Sequence, residues 1–296
     1  MKPAILKVAA LLILVVNSRH EIKANDVYVG TLNDIVKIDQ NGNKTVFASG
    51  APFAPSGINY PDGIANDSSG NIYVSNSDGK IFKFNSAGQW NIFAQLPSQG
   101  VLTFDHNGNL FAAIENNTIQ KISPSGQVSQ FASGVVIAGM AFDNAGNLYA
   151  SQNNQILKFD SSGQQSVFAS GFFGWGLGFD SYGNLYAANT SDVNILKFAP
   201  NGSRTVFASL VAQGLTGYGA IRGLAVDENN SVYLTTMGTL IVGGNKGRIL
   251  EFNSNGVGSV FANELDTPLN LTIIPEPSTF ALINLGIIGL LYRRRL

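Results

Sequence analysis

The chain has 296 residues, including 33 Gly, 10 Pro, 19 Phe and nine Tyr, with no Cys and two His. The missing cysteines exclude disulfides, thiolate metal sites and a cysteine nucleophile, and two imidazoles leave little for histidine chemistry. Only 12% of residues are charged while 45% are hydrophobic, which excludes a disordered chain.

The first element is a leader. Met1, Lys2 and Lys7 precede the apolar run 8–16. That run is too short to cross a bilayer core of about 30 Å. A basic start followed by a short apolar stretch is the pattern of a secretory signal. Residues 1–24 are therefore read as a signal peptide, with the cleavable bond after Ala24.

The body that follows is a repeat. The dipeptide Phe-Ala recurs at Phe47, Phe93, Phe131, Phe168, Phe207 and Phe261, at intervals of 46, 38, 37, 39 and 54 residues. A second anchor precedes each: Val27-Tyr28, Ile72-Tyr73, Leu110-Phe111, Leu148-Tyr149, Leu185-Tyr186 and Val232-Tyr233. One copy is representative. Gly139 to Phe142 is a short apolar run, and Asp143-Asn144-Ala145-Gly146-Asn147 is a turn. Asp can bond the backbone two residues on, and Gly supplies a positive φ. Leu148–Ser151, Gln155–Phe159 and Ser166–Ala169 are three further strands, with Asp160-Ser161-Ser162-Gly163 as the second turn. Four short strands per unit, with no amphipathic helix between units, predict an all-β six-bladed β-propeller over 25–274. The body opens on a second strand at Asp26 and ends on the orphan strand 268–273. Moving the orphan to the front completes blade one and ties the ring.

Residues 60–76 read Tyr-Pro-Asp-Gly-Ile-Ala-Asn-Asp-Ser-Ser-Gly-Asn-Ile-Tyr-Val-Ser-Asn. This resembles the NHL and SMP-30/gluconolactonase group of six-bladed propellers. The resemblance specifies architecture more than activity, because this scaffold hosts many functions.

Strand order places the first-to-second and third-to-fourth strand turns on one face, where lengths hardly vary. The second-to-third and inter-blade links lie on the other face, and the long segments 50–60, 210–221 and 237–247 are there. Function usually sits in such variable loops. Phe53, Tyr60, Phe172, Phe173, Trp175 and Tyr218 are candidate aromatics of that face, and Phe53, Phe172 and Phe173 also suit a core-capping role. Asp62, Asn76, Asp78, Asn189, Asp192 and Arg222 are the nearby polar groups. The candidate ligand-binding set is Tyr60, Asp62, Asn76, Trp175, Asn189, Tyr218 and Arg222, for a glycan or a peptide.

Lactonase-like members of the resembled group hold a divalent cation in the channel. Asp62 matches one ligand position, and Asn76 and Asn189 could add oxygens. The matching positions in other blades are Gly100, Ala138, Trp175, Arg222 and Leu269, none a carboxylate or amide, whereas a hard cation such as Ca²⁺ wants about six oxygens. No catalytic residue, metal ligand set or cofactor is therefore assigned. Asp67, Asp105, Asp143, Asp180 and Asp227 each head a turn and are read as turn formers, and His106 as a solvated turn residue.

The last element, 275–296, has three parts: Pro275-Glu276-Pro277, the apolar segment 280–292, and Arg293, Arg294 and Arg295. It resembles the PEP-CTERM sorting signal of Gram-negative bacteria. The resemblance implies a short transmembrane segment with its arginines in the cytoplasm, recognition by an exosortase, and delivery to the cell surface or an exopolysaccharide matrix. The two basic ends hide the body's charge. Without them, 11 basic face 17 acidic residues over 25–274, a formal charge of −6 against −1 for the whole chain. Nucleic acid is disfavoured as a partner. The expected role is a non-enzymatic binding or scaffold protein for exopolysaccharide or other matrix proteins. The alternatives are a divalent-metal lactonase and a structural matrix component without a defined ligand.

Overall fold

A computed structural model describes residues 25–32, 34–49, 63–152, 154–216, 220–238 and 246–275. The leader 1–24, residues 276–296 and the loop residues Phe53, Tyr60, Asp62 and Tyr218 lie outside the described residues.

Twenty-four described strands form six four-stranded antiparallel sheets. Blade one has β1 (Asn25–Gly30), β2 (Asp34–Ile38) and β3 (Lys44–Ser49). Blade two has β4 (Gly63–Asn66), β5 (Ile72–Ser75), β6 (Lys80–Phe84) and β7 (Trp90–Gln95). Blade three has β8 (Gly100–Phe104), β9 (Leu110–Ile114), β10 (Thr118–Ile122) and β11 (Val128–Ser133). Blade four has β12 (Gly139–Phe142), β13 (Leu148–Gln152), β14 (Gln155–Phe159) and β15 (Gln165–Ser170). Blade five has β16 (Gly174–Phe179), β17 (Leu185–Asn189), β18 (Asn194–Phe198) and β19 (Arg204–Ser209). Blade six has β20 (Ile221–Val226), β21 (Val232–Thr236), β22 (Gly247–Phe252) and β23 (Gly258–Leu265). The last strand, β24 (Leu271–Pro275), completes blade one in the order β24-β1-β2-β3. Val27 lies opposite Ile273 and Tyr28 opposite Thr272. The closing strand starts three residues later than the sequence pattern places it. Leu269 bridges the two blades, its N–H donating to the Gly30 carbonyl of blade one at 2.8 Å and its carbonyl accepting from Thr235 Oγ1 of blade six at 2.6 Å.

Eleven tight turns join strands one and two, or three and four. Ten hold Gly with φ between 75° and 86°, and the eleventh uses Asn230 at 63°. At Asp67 the logic is local. Its Oδ1 accepts the Ser69 and Asn71 backbone N–H groups, and its Oδ2 accepts the Asn71 side-chain amide and the Tyr73 hydroxyl. Asp105, Asp143 and Asp180 repeat the backbone and amide pattern. The turn aspartates are turn formers, as their position in the sequence implies.

The two sequence anchors are the halves of one contact. A β-bulge between the third and fourth strand of every blade leaves the Phe of Phe-Ala without a cross-strand partner. That Phe turns inward and meets the Tyr or Phe of the second strand edge-to-face, at centroid distances of 4.8 to 5.3 Å. Such pairs add about 0.5–1.5 kcal/mol beyond burial. First-strand aromatics of the following blade, Phe104, Phe142 and Phe179, stack against Tyr73, Phe111 and Tyr149 and bind blade to blade. Second strands such as β1, β9 and β21 are buried throughout, because both faces of the blade are covered. Fourth strands expose their first three residues to solvent and half-bury the Phe-Ala pair that follows.

Candidate functional site

The inner strands converge on a central channel, and glycines let them approach. A Cβ on Gly63 would sit 2.1 Å from the Gly100 carbonyl oxygen of blade three. One on Gly139 would sit 1.8 Å from the Trp175 carbonyl oxygen of blade five. At the same seams a second-strand hydroxyl reaches across. Ser75 Oγ donates to the Gly100 carbonyl at 2.7 Å, and Ser151 Oγ to the Trp175 carbonyl at 2.9 Å. Thr235 completes the series at the seam between blades six and one. Gly30, Ala113 and Ala188 occupy this position in the other three blades, so the staple joins every second seam.

The channel widens at both ends. Towards the long-loop face lies a mouth of about 270 Å³, lined by Gln99, Glu115, Asn117, Trp175, Arg222 and Asn270 among others. The Arg222 guanidinium stacks over the Trp175 ring at 4.3 Å. Both are half-buried, anchored on adjacent inner strands β16 and β20. A half-buried cation on an aromatic face is worth about 0.5–2 kcal/mol, which favours this stacked arrangement at the mouth. The larger cavity, about 490 Å³, opens on the opposite, short-turn face. Its wall is apolar, with Ile64, Leu102, Met140 and Leu224, and its rim is polar, with Asn66, Asn144 and Ser181. His106 stands at this rim, exposed, with Nε2 donating to the Asp143 carbonyl at 3.0 Å. Turn lengths give no hint of a cavity here; it arises from small inner-strand residues such as Ala65, Ala141 and Gly178.

Among the described candidate residues, only Trp175 and Arg222 line the long-loop mouth, where they meet. Asn76 and Asn189 do not line it and are buried, 1% and 3% exposed. Asn76 Nδ2 donates to Asp78 Oδ1 at 2.9 Å, and Asn189 Nδ2 to Asp192 Oδ2 and Asn194 Oδ1 at 3.0 and 3.1 Å. Both amides tie the turns between second and third strands. Tyr60, Asp62 and Tyr218 lie outside the described residues. Phe172 is fully buried in the seam between blades four and five, whereas Phe173 is 53% exposed. The capping role thus falls to Phe172 alone of that pair.

A channel cation finds little support among the described residues. No three His, Asp or Glu side chains gather there. The blade positions facing the mouth are Gly100, Ala138, Trp175 and Arg222, and the guanidinium opposes a second cation. The described residues of the mouth do not fit a divalent metal, and Asp62 lies outside them.

Electrostatics repeat around the short-turn face. In five blades a third-strand lysine lies over the second-strand ring, 5.0 to 5.8 Å from its centroid. Lys83 and Lys197 also pair with Asp67 and Asp180 at 3.7 and 3.5 Å. Burial opposes ionisation of Asp67 and Asp180, but the Asn71 and Asn184 amides and backbone N–H groups outweigh it and hold both carboxyls below the usual range. Blade six departs from the pattern. Glu251 stands opposite Tyr233, where the other blades have lysine. Burial pushes Asp227 up, and burial with the Glu251 carboxylate pushes the Tyr233 hydroxyl well above its ordinary range.

No protein-family model matches the chain. No curated protein matches it either. Solved structures do. A protein of unknown function from Bacteroides caccae aligns with TM-score 0.63 at 16% identity, covering 86% of this chain and all of the other. A gluconolactonase from Xanthomonas campestris aligns with TM-score 0.56 at 16% identity, covering 73% of this chain and 83% of its own. Virginiamycin B lyase from Staphylococcus aureus aligns with TM-score 0.52 at 16% identity, covering 68% and 69%. At such identities the likeness is one of fold, and the chain is a six-bladed propeller resembling those of gluconolactonases and streptogramin lyases.

Proposed function

We propose that the protein is an exported, non-enzymatic propeller that binds a polysaccharide at its long-loop mouth. The observation that carries this is the Trp175–Arg222 pair, a rigid aromatic and cationic platform beside Gln99, Asn117 and Asn270 in a mouth of about 270 Å³. An aromatic surface fringed by amides, one guanidinium and the Glu115 carboxylate suits a sugar ring, with Arg222 the group that would take a carboxylate or sulfate on it. Tyr60 and Tyr218 are proposed to extend this platform. The Pro275-Glu276-Pro277 motif and Arg293–Arg295 support sorting by an exosortase to the cell surface or its exopolysaccharide matrix. Pro275 is the last residue of β24, so the motif follows the closing strand directly.

Retention on an immobilised acidic polysaccharide tests the reading. We expect at least tenfold weaker retention for Trp175→Ala and for Arg222→Ala. Tyr182→Ala, on the short-turn face and 77% exposed, serves as the control. Unchanged retention in both mouth variants overturns the proposal. A metal-dependent lactonase is the second reading, favoured by the gluconolactonase among the fold neighbours. Lactone hydrolysis that requires added Ca²⁺ or Zn²⁺ and is lost in Asp62→Ala would replace the binding role.

A further inference from the structure

Asn25 opens β1 and is 6% exposed. Its Nδ2 donates across the seam to Asp227 Oδ2 at 2.8 Å, joining the first strand of the chain to blade six. Asp227 also accepts the Asn229 and Ser231 backbone N–H groups. It is 8% exposed, and among the described residues no lysine or arginine lies within ion-pair distance of it. The place that lysine takes in the other five blades is held here by Glu251, as cross-strand register shows. Tyr233 faces Glu251, where Tyr28, Tyr73, Phe111, Tyr149 and Tyr186 face Lys37, Lys83, Lys121, Lys158 and Lys197.

Asp227 thus sits among acids: Glu251 on β22, Glu228 beside it, and the Tyr233 hydroxyl between, donating to Glu251 at 3.0 Å. On the blade one side, Asp26 and Lys37 neutralise each other at 2.5 Å. A second observation points to the same place. Asn25 Oδ1 is buried and has no hydrogen-bond donor among the described residues.

We propose that cleavage of the Ala24–Asn25 bond creates the missing cation, with the new α-ammonium of Asn25 serving blade six as lysine serves the other five. This rests on the export reading. Water supplied through a membrane-bound signal peptidase adds its hydroxyl to the Ala24 carbonyl carbon, the C–N bond breaks, and the Asn25 amine leaves and takes up a proton. The α-nitrogen is four bonds from Asn25 Nδ2, so it lies within about 8 Å of the Asp227 carboxylate. At that range and depth, salt screens little of the attraction. The ammonium also brings donors to the residue whose Oδ1 lacks one. Maturation then tightens the closed ring, since the charge that further secures β1 exists only after the leader is removed.

The test compares chains ending at Leu296. One is released from a fusion so that it begins at Asn25, and the other keeps a neutral Gly-Ser extension before Asn25. We expect the free terminus to raise Tm by about 2–4 °C, the shift of a roughly 1 kcal/mol interaction in a domain of this size. An acidic partner raises the folded α-amino pKa above its unfolded value of about 8. The advantage is therefore full below that unfolded value and is lost as pH rises through the folded one. Asp227→Asn should abolish the difference, and Glu251→Lys should shrink it by supplying the cation in both chains. Equal Tm values for the two parent chains, or a difference that persists in Asp227→Asn, overturn the proposal. If Asp227→Asn does not fold, the pH and Glu251→Lys arms decide: a gap unchanged in both overturns it. N-terminal sequencing of exported protein tests the processing separately, because the paired Tm values do not depend on export.

Discussion

Removing one hydroxyl from an inner seam should cost as much as a core substitution. Ser75 is 1% exposed; its Oγ donates to the Gly100 carbonyl of blade three at 2.7 Å and accepts the Gly63 N–H of its own blade at 3.0 Å. Ser75→Ala deprives two buried backbone groups of this partner. The expected loss is about 1–3 kcal/mol, and in a ring of this size each kcal/mol lowers Tm by about 2–4 °C. Thr235 has the shortest pair of bonds, 2.7 Å from Gly223 N–H and 2.6 Å to Leu269 O. Ser151 has one good bond, 2.9 Å to Trp175 O, and a long one of 3.4 Å to Gly139 O. The expected order of cost is Thr235→Val, then Ser75→Ala, then Ser151→Ala. Urea midpoints of the purified chain measure it. The three seams are far apart, so the triple variant should lose close to the sum. Single losses all under about 0.5 kcal/mol, the range of surface changes, would refute the staple.

Gly139→Ala should be worse than Ser151→Ala at the same seam. The new methyl meets the Trp175 carbonyl at 1.8 Å, so the Trp175 backbone must move, and polysaccharide retention should fall together with Tm. Phe172→Ala should cost about 3–5 kcal/mol as a core truncation, while Phe173→Ala, half exposed, should stay within about 0.5 kcal/mol in the same denaturation assay. Asp67 and Asp180 have folded pKa values below their unfolded ones, so their contribution is present above about pH 4 and is lost as pH falls through the folded values. Urea midpoints from pH 6 down to pH 2 should therefore drop less steeply in Asp67→Asn than in the parent chain.

The architecture was legible because each blade repeats the same local signals. Asp and Gly at fixed spacing fix the turns, and Phe-Ala with Ile-Tyr mark an aromatic pair that recurs in all six blades. The unpaired strand at the start of the body required its partner from the other end, and β24 is that partner. The site was less legible, for a physical reason. Asn76 and Asn189 have the composition of ligand contacts, yet a neighbouring Asp or Asn within five residues captures each amide. Nothing in one-dimensional spacing shows whether a polar side chain at a strand end points along the channel or back into its own turn. Trp175 and Arg222 lie 47 positions apart, and only the adjacency of β16 and β20 brings them into contact. The short-turn cavity left no mark in loop length, since backbone spacing at the inner strands creates it.

The six bulges on the outer strands shape how the disk behaves towards its own kind. A flat perimeter of open strand edges would template the addition of another chain, and Val46, Ile92, Val167 and Val206 on these strands are more than half exposed. Each edge is instead interrupted at its midpoint, where Phe is withdrawn inward and the hydrogen-bonding ladder loses register. Two such disks meeting rim to rim find apolar side chains but no continuous backbone to zip along.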